Sequence, residues 1–101
     1  MIKNTTVMVR PSTEKDFWGF APIVQEYVNA AYVNTGKLTF GTVSLSDDEL
    51  TRTRTVLWKD QASLEEYIAD EIVKQAYKER KAYCTEHNHT FSSSNTVIEN
   101  A

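Results

Sequence analysis

The chain has 101 residues, 41% hydrophobic and 25% charged, with a net charge of −3, which fits one core and one domain over residues 1–101. This balance excludes collagen-like and wholly disordered classes, and an acidic chain leaves no electrostatic footprint for nucleic acid. A single cysteine, Cys84, excludes the disulfide-stapled secreted class, and no apolar run nears the roughly 20 residues of a membrane helix.

Thr5 to Arg10 is rich in β-branched residues and predicts a strand, ended by Pro11-Ser12-Thr13. Phe17, Phe20, Ile23, Val24, Tyr27, Val28, Ala31 and Tyr32 then fall at helical spacing. Pro22 lies inside that run, so the helix either begins near Ala21 or kinks after an irregular first turn. Gly36 is placed to stop it. Lys37 to Ser46 predicts the second strand, with a β-bulge at Gly41, where the apolar alternation changes phase. The polar turn Ser46-Asp47-Asp48-Glu49 leads to a third strand, Leu50 to Trp58, so these two form an antiparallel hairpin. A second helix is predicted over Gln61 to Glu86, capped by Asp60 or Ser63, with Leu64, Tyr67, Ile68, Ile72 and Ala76 as its buried stripe. A break near Asp70 would shorten it to a more usual length. The last strand is placed at Thr90 to Ser92 or Thr96 to Ile98, around a Ser92-Ser93-Ser94-Asn95 linker.

The order β-α-β-β-α-β predicts an α+β fold: one four-stranded antiparallel sheet with two helices on one face. Val43 and Leu45, or their bulge-shifted neighbours, would place apolar groups on the other face. Two copies packed sheet on sheet would cover it, so a homodimer is expected. With no signal core in residues 1–20, the expected location is cytoplasmic, without a membrane partner.

The stretch Thr55 to Lys81, TVLWKDQASLEEYIADEIVKQAYKERK, carries more specific content. A strand ending in Trp58, then Lys59-Asp60, then a helix opening Ala62-Ser63-Leu64 resembles the third strand and second helix of antibiotic-biosynthesis-monooxygenase-like proteins. The resemblance implies a ferredoxin-like fold and a dimeric α/β barrel. One branch of that family degrades heme with a histidine late in the second helix, a tryptophan about three turns earlier and an asparagine on the first strand. Here the first two positions hold Tyr77 and Tyr67, and Asn4 lies just upstream of the predicted strand, so heme degradation is not expected. Other branches oxidise phenols or modify quinone-like molecules without metal or flavin, so no cofactor is implied. Their pocket lies between helices and sheet, and here would be lined from Phe20, Val24, Tyr27, Phe40, Trp58, Tyr67, Ile72 and Tyr77. Each of these also fits plain core filling, the commoner role of aromatics at helical spacing.

Tyr67, Tyr77 and Arg54 are the only polar groups the sequence offers such a pocket, the tyrosines as donors to a phenol or quinone oxygen. A phenol with an ordinary pKa of about 10 is a poor base at neutral pH. Arg52 and Arg54 share a strand face with Val56 and Trp58. Facing outward, the more frequent arrangement, they are edge or dimer-contact charges for Asp47, Asp48 or Glu49; facing inward, they suit a carboxylate or phosphate. Cys84, His87 and His89 cluster near a helix end, where a thiolate and two imidazoles suit zinc or copper, though histidines there are more often surface groups favoured by the helix dipole. No nucleophile elbow and no glycine-rich phosphate loop occurs among only three glycines.

Overall fold

The structure is a computed structural model that describes residues 1–98. Four strands, β1 (Ile2–Val9), β2 (Leu38–Leu45), β3 (Thr51–Trp58) and β4 (Thr90–Val97), form one antiparallel sheet in the order β2-β3-β1-β4. Helices α1 (Pro22–Val28), α2 (Gln61–Ala69) and α3 (Glu71–His87) pack against the face that carries Ile2, Leu38 and Trp58. The predicted fold class and element order stand, with three helices in place of two.

The side-chain period of two decides which residues meet the helices. Cross-strand partners share a face, so the helix side of the sheet reads in four rows. Leu38, Trp58, Ile2 and Val97 form the first; Phe40, Val56, Asn4 and Asn95 the second; Val43, Arg54, Thr6 and Ser93 the third; Leu45, Arg52, Met8 and Phe91 the fourth. The first row anchors the core: Ile2, Leu38 and Trp58 are buried together with Val28, Tyr32, Leu64, Tyr67 and Val73.

The bulge falls at the expected place, between Phe40 and Val43, where Gly41 and Thr42 together oppose Thr55. Its effect on the second face differs from expectation. The extra residue returns Val43 and Leu45 to the helix side, opposite Arg54 and Arg52. The outer face therefore carries Thr5, Thr39, Ser44, Thr51, Thr53, Thr55, Ser92, Ser94 and Thr96, with Val7, Val9 and Leu57 as its apolar groups. It is a hydroxyl-rich surface.

Three further boundaries move. β1 begins at Ile2, not Thr5, because both its edges are paired over their full length. β4 runs unbroken through Ser92–Asn95, since the β1 ladder compensates for the low strand propensity of serine and asparagine. The first helix begins at Pro22, whose missing N–H costs nothing at an N-terminal position. Residues Asn29–Val33 then continue it as a π-helical turn, and Gly36 at φ 78° ends the segment.

The long second helix breaks at Asp70, which adopts an extended conformation and accepts the Ile72 N–H in its side chain as the cap of α3. The break shifts the phase of the buried stripe. Ile68 and Ile72 are exposed and Val73 is buried in their place, while Leu64, Tyr67 and Ala76 are buried as expected. The other Asp70 carboxylate oxygen accepts from Tyr27 Oη at 2.5 Å and Tyr32 Oη at 2.6 Å, tying α1 and the π turn to the α2–α3 junction.

Two outcomes follow. A Cβ at Gly41 would lie 2.5 Å from Thr55 Oγ1 and 2.8 Å from its carbonyl oxygen. Gly41→Ala is therefore expected to cost about 1–3 kcal/mol by urea denaturation, and a variant as stable as the parent would show that the bulge is not needed. Partial burial works to raise the Asp70 pKa, but the bonds from Tyr27 and Tyr32 and the α3 backbone outweigh it, leaving it below the ordinary value. A depressed folded pKa stabilises the fold above the unfolded value and is lost as pH falls through the folded one. Asp70→Asn, which still caps a helix, should cost about 1–2 kcal/mol at pH 7, with the gap to the parent closing under acid below the carboxylate range.

Candidate functional site

Between the helices and the sheet lies a cavity of about 210 Å³. Its floor is the sheet: Phe40, Val56 and Trp58 at one end, and Asn4, Thr6, Arg54, Arg52, Ser93 and Asn95 towards the other. Its roof comes from Val28 of α1, Leu64, Tyr67 and Ile68 of α2, and Tyr77 and Arg80 of α3. The irregular segment before α1 supplies Trp18, Gly19 and Phe20.

That segment has no helix of its own and is held by side chains from elsewhere. Arg10 donates to the carbonyls of Lys15 and Glu49, Arg52 to that of Trp18, and Tyr83 to that of Asp16. Phe20 then stacks on Tyr77 with ring centroids 6.0 Å apart, and Trp18 meets Phe20 edge-on at 5.3 Å. Trp58 lies 4.7 Å from Tyr67 and 6.1 Å from Tyr32. The result is an aromatic wall continuous from the segment before α1 to the sheet.

Two polar groupings face each other across this space. On the sheet, Asn4 Nδ2 donates to Ser93 Oγ and to Asn95 Oδ1, both at 2.8 Å, while Thr6 Oγ1 donates to Asn4 Oδ1 at 3.2 Å. On the roof, the hydroxyls of Tyr67 and Tyr77 are 2.6 Å apart. Only one of the two protons lies between them, so the accepting tyrosine keeps its own O–H to donate. Burial raises both phenols above the ordinary tyrosine value, Tyr67 much further, helped by the neighbouring Tyr77, while the bond from Tyr67 and the charges of Arg80 and Arg54 partly offset it at Tyr77. They are donors, not bases.

Of the pocket residues expected from the sequence, Phe20, Phe40, Trp58, Tyr67 and Tyr77 line the cavity, whereas Val24, Tyr27 and Ile72 do not. Val24 and Tyr27 pack against the core, and Val28, one turn later, takes the wall position. Tyr27 is turned to Asp70, and Ile72 is displaced by the helix break. Arg52 and Arg54 face inward, against the outward arrangement, because they share the parity of buried Trp58. The sequence reading missed Asn4, Ser93, Asn95 and Arg80. Asn4 lies one residue upstream of the expected strand start at Thr5, inside the longer β1. Arg80 was legible as Tyr77 plus one helical turn.

Cys84, His87 and His89 lie at the far end of α3. His87 and His89 ring centroids are 6.0 Å apart, but His89 is buried beside Phe17 and Tyr83. Burial pushes the Cys84 thiol up and the His89 imidazole down, favouring the neutral form of each. Among the described residues, no group of three or more His, Cys, Asp or Glu side chains is arranged to hold a metal ion.

With this geometry in view, two solved structures are similar over almost the whole chain. One, a "putative antibiotic biosynthesis monooxygenase" from Deinococcus radiodurans, has a TM-score of 0.58 at 12% identity, covering 100% of this chain and 95% of that one. The chain has its fold. The other, a dimeric ferredoxin-like protein from an uncultured marine organism, has a TM-score of 0.54 at 14% identity, covering 99% of this chain and 97% of that one. No family model and no curated protein matches the sequence. Among the described residues no helix is long and apolar enough to cross a membrane.

The phenol environment sets a spectroscopic expectation. In a titration followed near 295 nm, Tyr67 and Tyr77 should remain un-ionised past the pH at which exposed phenols have fully titrated, and ionise only on unfolding. Full tyrosine ionisation in the folded protein by that pH would contradict the buried hydroxyl pair.

Proposed function

We propose that this chain is a homodimeric small-molecule protein that takes an aromatic or quinone-like compound between its helices and sheet and oxygenates it without a cofactor. The observation that carries the reading is the cavity, with its aromatic wall and the paired Tyr67 and Tyr77 hydroxyls at one side. An apolar cavity of about 150 Å³ admits a benzene ring, so about 210 Å³ holds a substituted ring. In the reaction, a phenol and dioxygen give a quinone and water, the ring being oxidised and dioxygen reduced. The residues bind and orient the ring and stabilise its oxyanion: Arg54 by charge and the free tyrosine proton by a hydrogen bond. The dimer is supported by the placement of all three helices on one face of the sheet, and by the dimeric neighbour of the same fold. A reducing, cytoplasmic location suits the lone Cys84.

One observation favours binding without turnover as a second reading. Among the described residues the cavity lining contains no Asp, Glu or His, so none of their side chains there is placed to remove a phenolic proton at neutral pH.

Oxygen uptake with 1-naphthol separates the two. Turnover predicts one dioxygen consumed per 1,4-naphthoquinone formed, falling about a hundredfold in Tyr67→Phe or Tyr77→Phe. Binding of 1-naphthol with no uptake above the protein-free rate leaves the second reading. Light scattering at micromolar concentration should report twice the chain mass, and a monomer would sink the dimer.

A further inference from the structure

All four arginines of this acidic chain, Arg10, Arg52, Arg54 and Arg80, lie on the helix side of the sheet, and three of them line the cavity. Ion pairing does not account for them. The salt bridges among the described residues use Lys37, Lys74 and His87, and none uses an arginine. Arg10 is occupied by two backbone carbonyls, and Arg52 by the Trp18 carbonyl and Met8 Sδ. Arg54 and Arg80 differ. Each is steadied by ring faces: Arg54 over Phe40 at 5.3 Å, and Arg80 between Tyr77 at 4.3 Å and Phe91 at 4.1 Å. Stacking fixes the guanidinium plane and leaves its N–H edge open to a ligand. Arg80 Nε is buried with no partner among the described residues, and the same is true of Arg52 Nε.

Concentrating cations in a partly desolvated space is costly unless an anion completes it. Burial and the charges of Arg54 and Arg10 both act to destabilise protonated Arg52, which is the sign of that cost. Among the described residues, every ionisable group in the lining is a hydrogen-bond donor: three guanidiniums and two protonated phenols. Aromatic walls surround them. Resting on the small-molecule reading above, we infer that the ligand is an aromatic acid whose carboxylate is held by Arg54 and Arg80, with its ring between Phe20, Phe40 and Trp58. The planar fork of arginine matches a carboxylate in two parallel bonds. The acid arrives already ionised at neutral pH, so its binding needs no base in the cavity.

Calorimetric titration of the full chain with benzoate and 2-naphthoate, against the neutral isosteres benzamide and 2-naphthamide, tests this at pH 7. At least one acid should bind about ten- to a hundredfold tighter than its amide. Arg54→Gln and Arg80→Gln should each remove most of that preference, weakening the acid about tenfold or more beyond any change in the amide, and Arg54→Lys should restore part of it. Circular dichroism melting of each variant keeps loss of fold apart from loss of the anion site. Amides that bind as well as acids, unaffected by either substitution, would overturn the carboxylate and leave the aromatic cavity standing. Displacement of the acid by an equal concentration of inorganic phosphate would overturn it in favour of a general oxyanion site. If no acid or amide binds at millimolar concentration, this inference falls; the small-molecule reading falls with it only if 1-naphthol also fails to bind.

Discussion

Burial of Trp58 is the constraint from which the rest of the site follows. Its ring is 2% exposed and packs on Tyr32 and Tyr67, joining the end of β3 to the π turn and α2. Burying a large aromatic ring is strongly favourable, and an arginine can lay its stem along apolar surface while its head keeps an open edge. Because β3 alternates, placing Trp58 inward places Val56, Arg54 and Arg52 inward as well. Strand parity thus carries two guanidiniums under the helices, and the same parity turns Thr51, Thr53 and Thr55 to the outer face. A hydrophobic decision at one end of a strand becomes an electrostatic one at the other.

The helices complete the site by the same kind of accounting. On α3, Val73, Ala76, Tyr77, Arg80 and Cys84 fall at helical spacing on one face, with apolar residues seating the helix and Tyr77 and Arg80 reaching the cavity. Asp70 sets the starting phase of that face by capping α3, and its bonds to Tyr27 and Tyr32 fix the junction against α1. Moving the break by one residue would rotate Tyr77 and Arg80 away from the sheet by about 100°. The cap is remote from the cavity and yet determines its chemistry.

Element order, the hairpin, the Gly41 bulge and the break at Asp70 were legible because each rests on local signals: turn residues, glycine, a capping acid. What escaped depends on partners distant in sequence. Lys3-Asn4 and Ser92–Asn95 have weak strand propensity, and only their mutual ladder makes them strands, so Asn4, Ser93 and Asn95 were invisible as a cavity floor. The inward parity of Arg52 and Arg54 was available from Trp58 once its burial was granted, but charge alone argues the other way. Val43 and Leu45 show the converse: the bulge was foreseen, and its consequence for their face becomes definite only with the pairing to Arg54 and Arg52.

The π-helical turn at Asn29–Val33 has a meaning for insertions and deletions. Its i→i+5 hydrogen bond, Asn34 N–H to the Asn29 carbonyl, accommodates one residue more than an α-turn would. That residue spends helical regularity to orient Tyr32 towards Trp58 and Asp70. A sequence shorter by one residue at this point would look like a harmless helix with better periodicity. In three dimensions it would have lost the strut between its sheet and its helix junction, so chain length here is as much a structural determinant as residue identity.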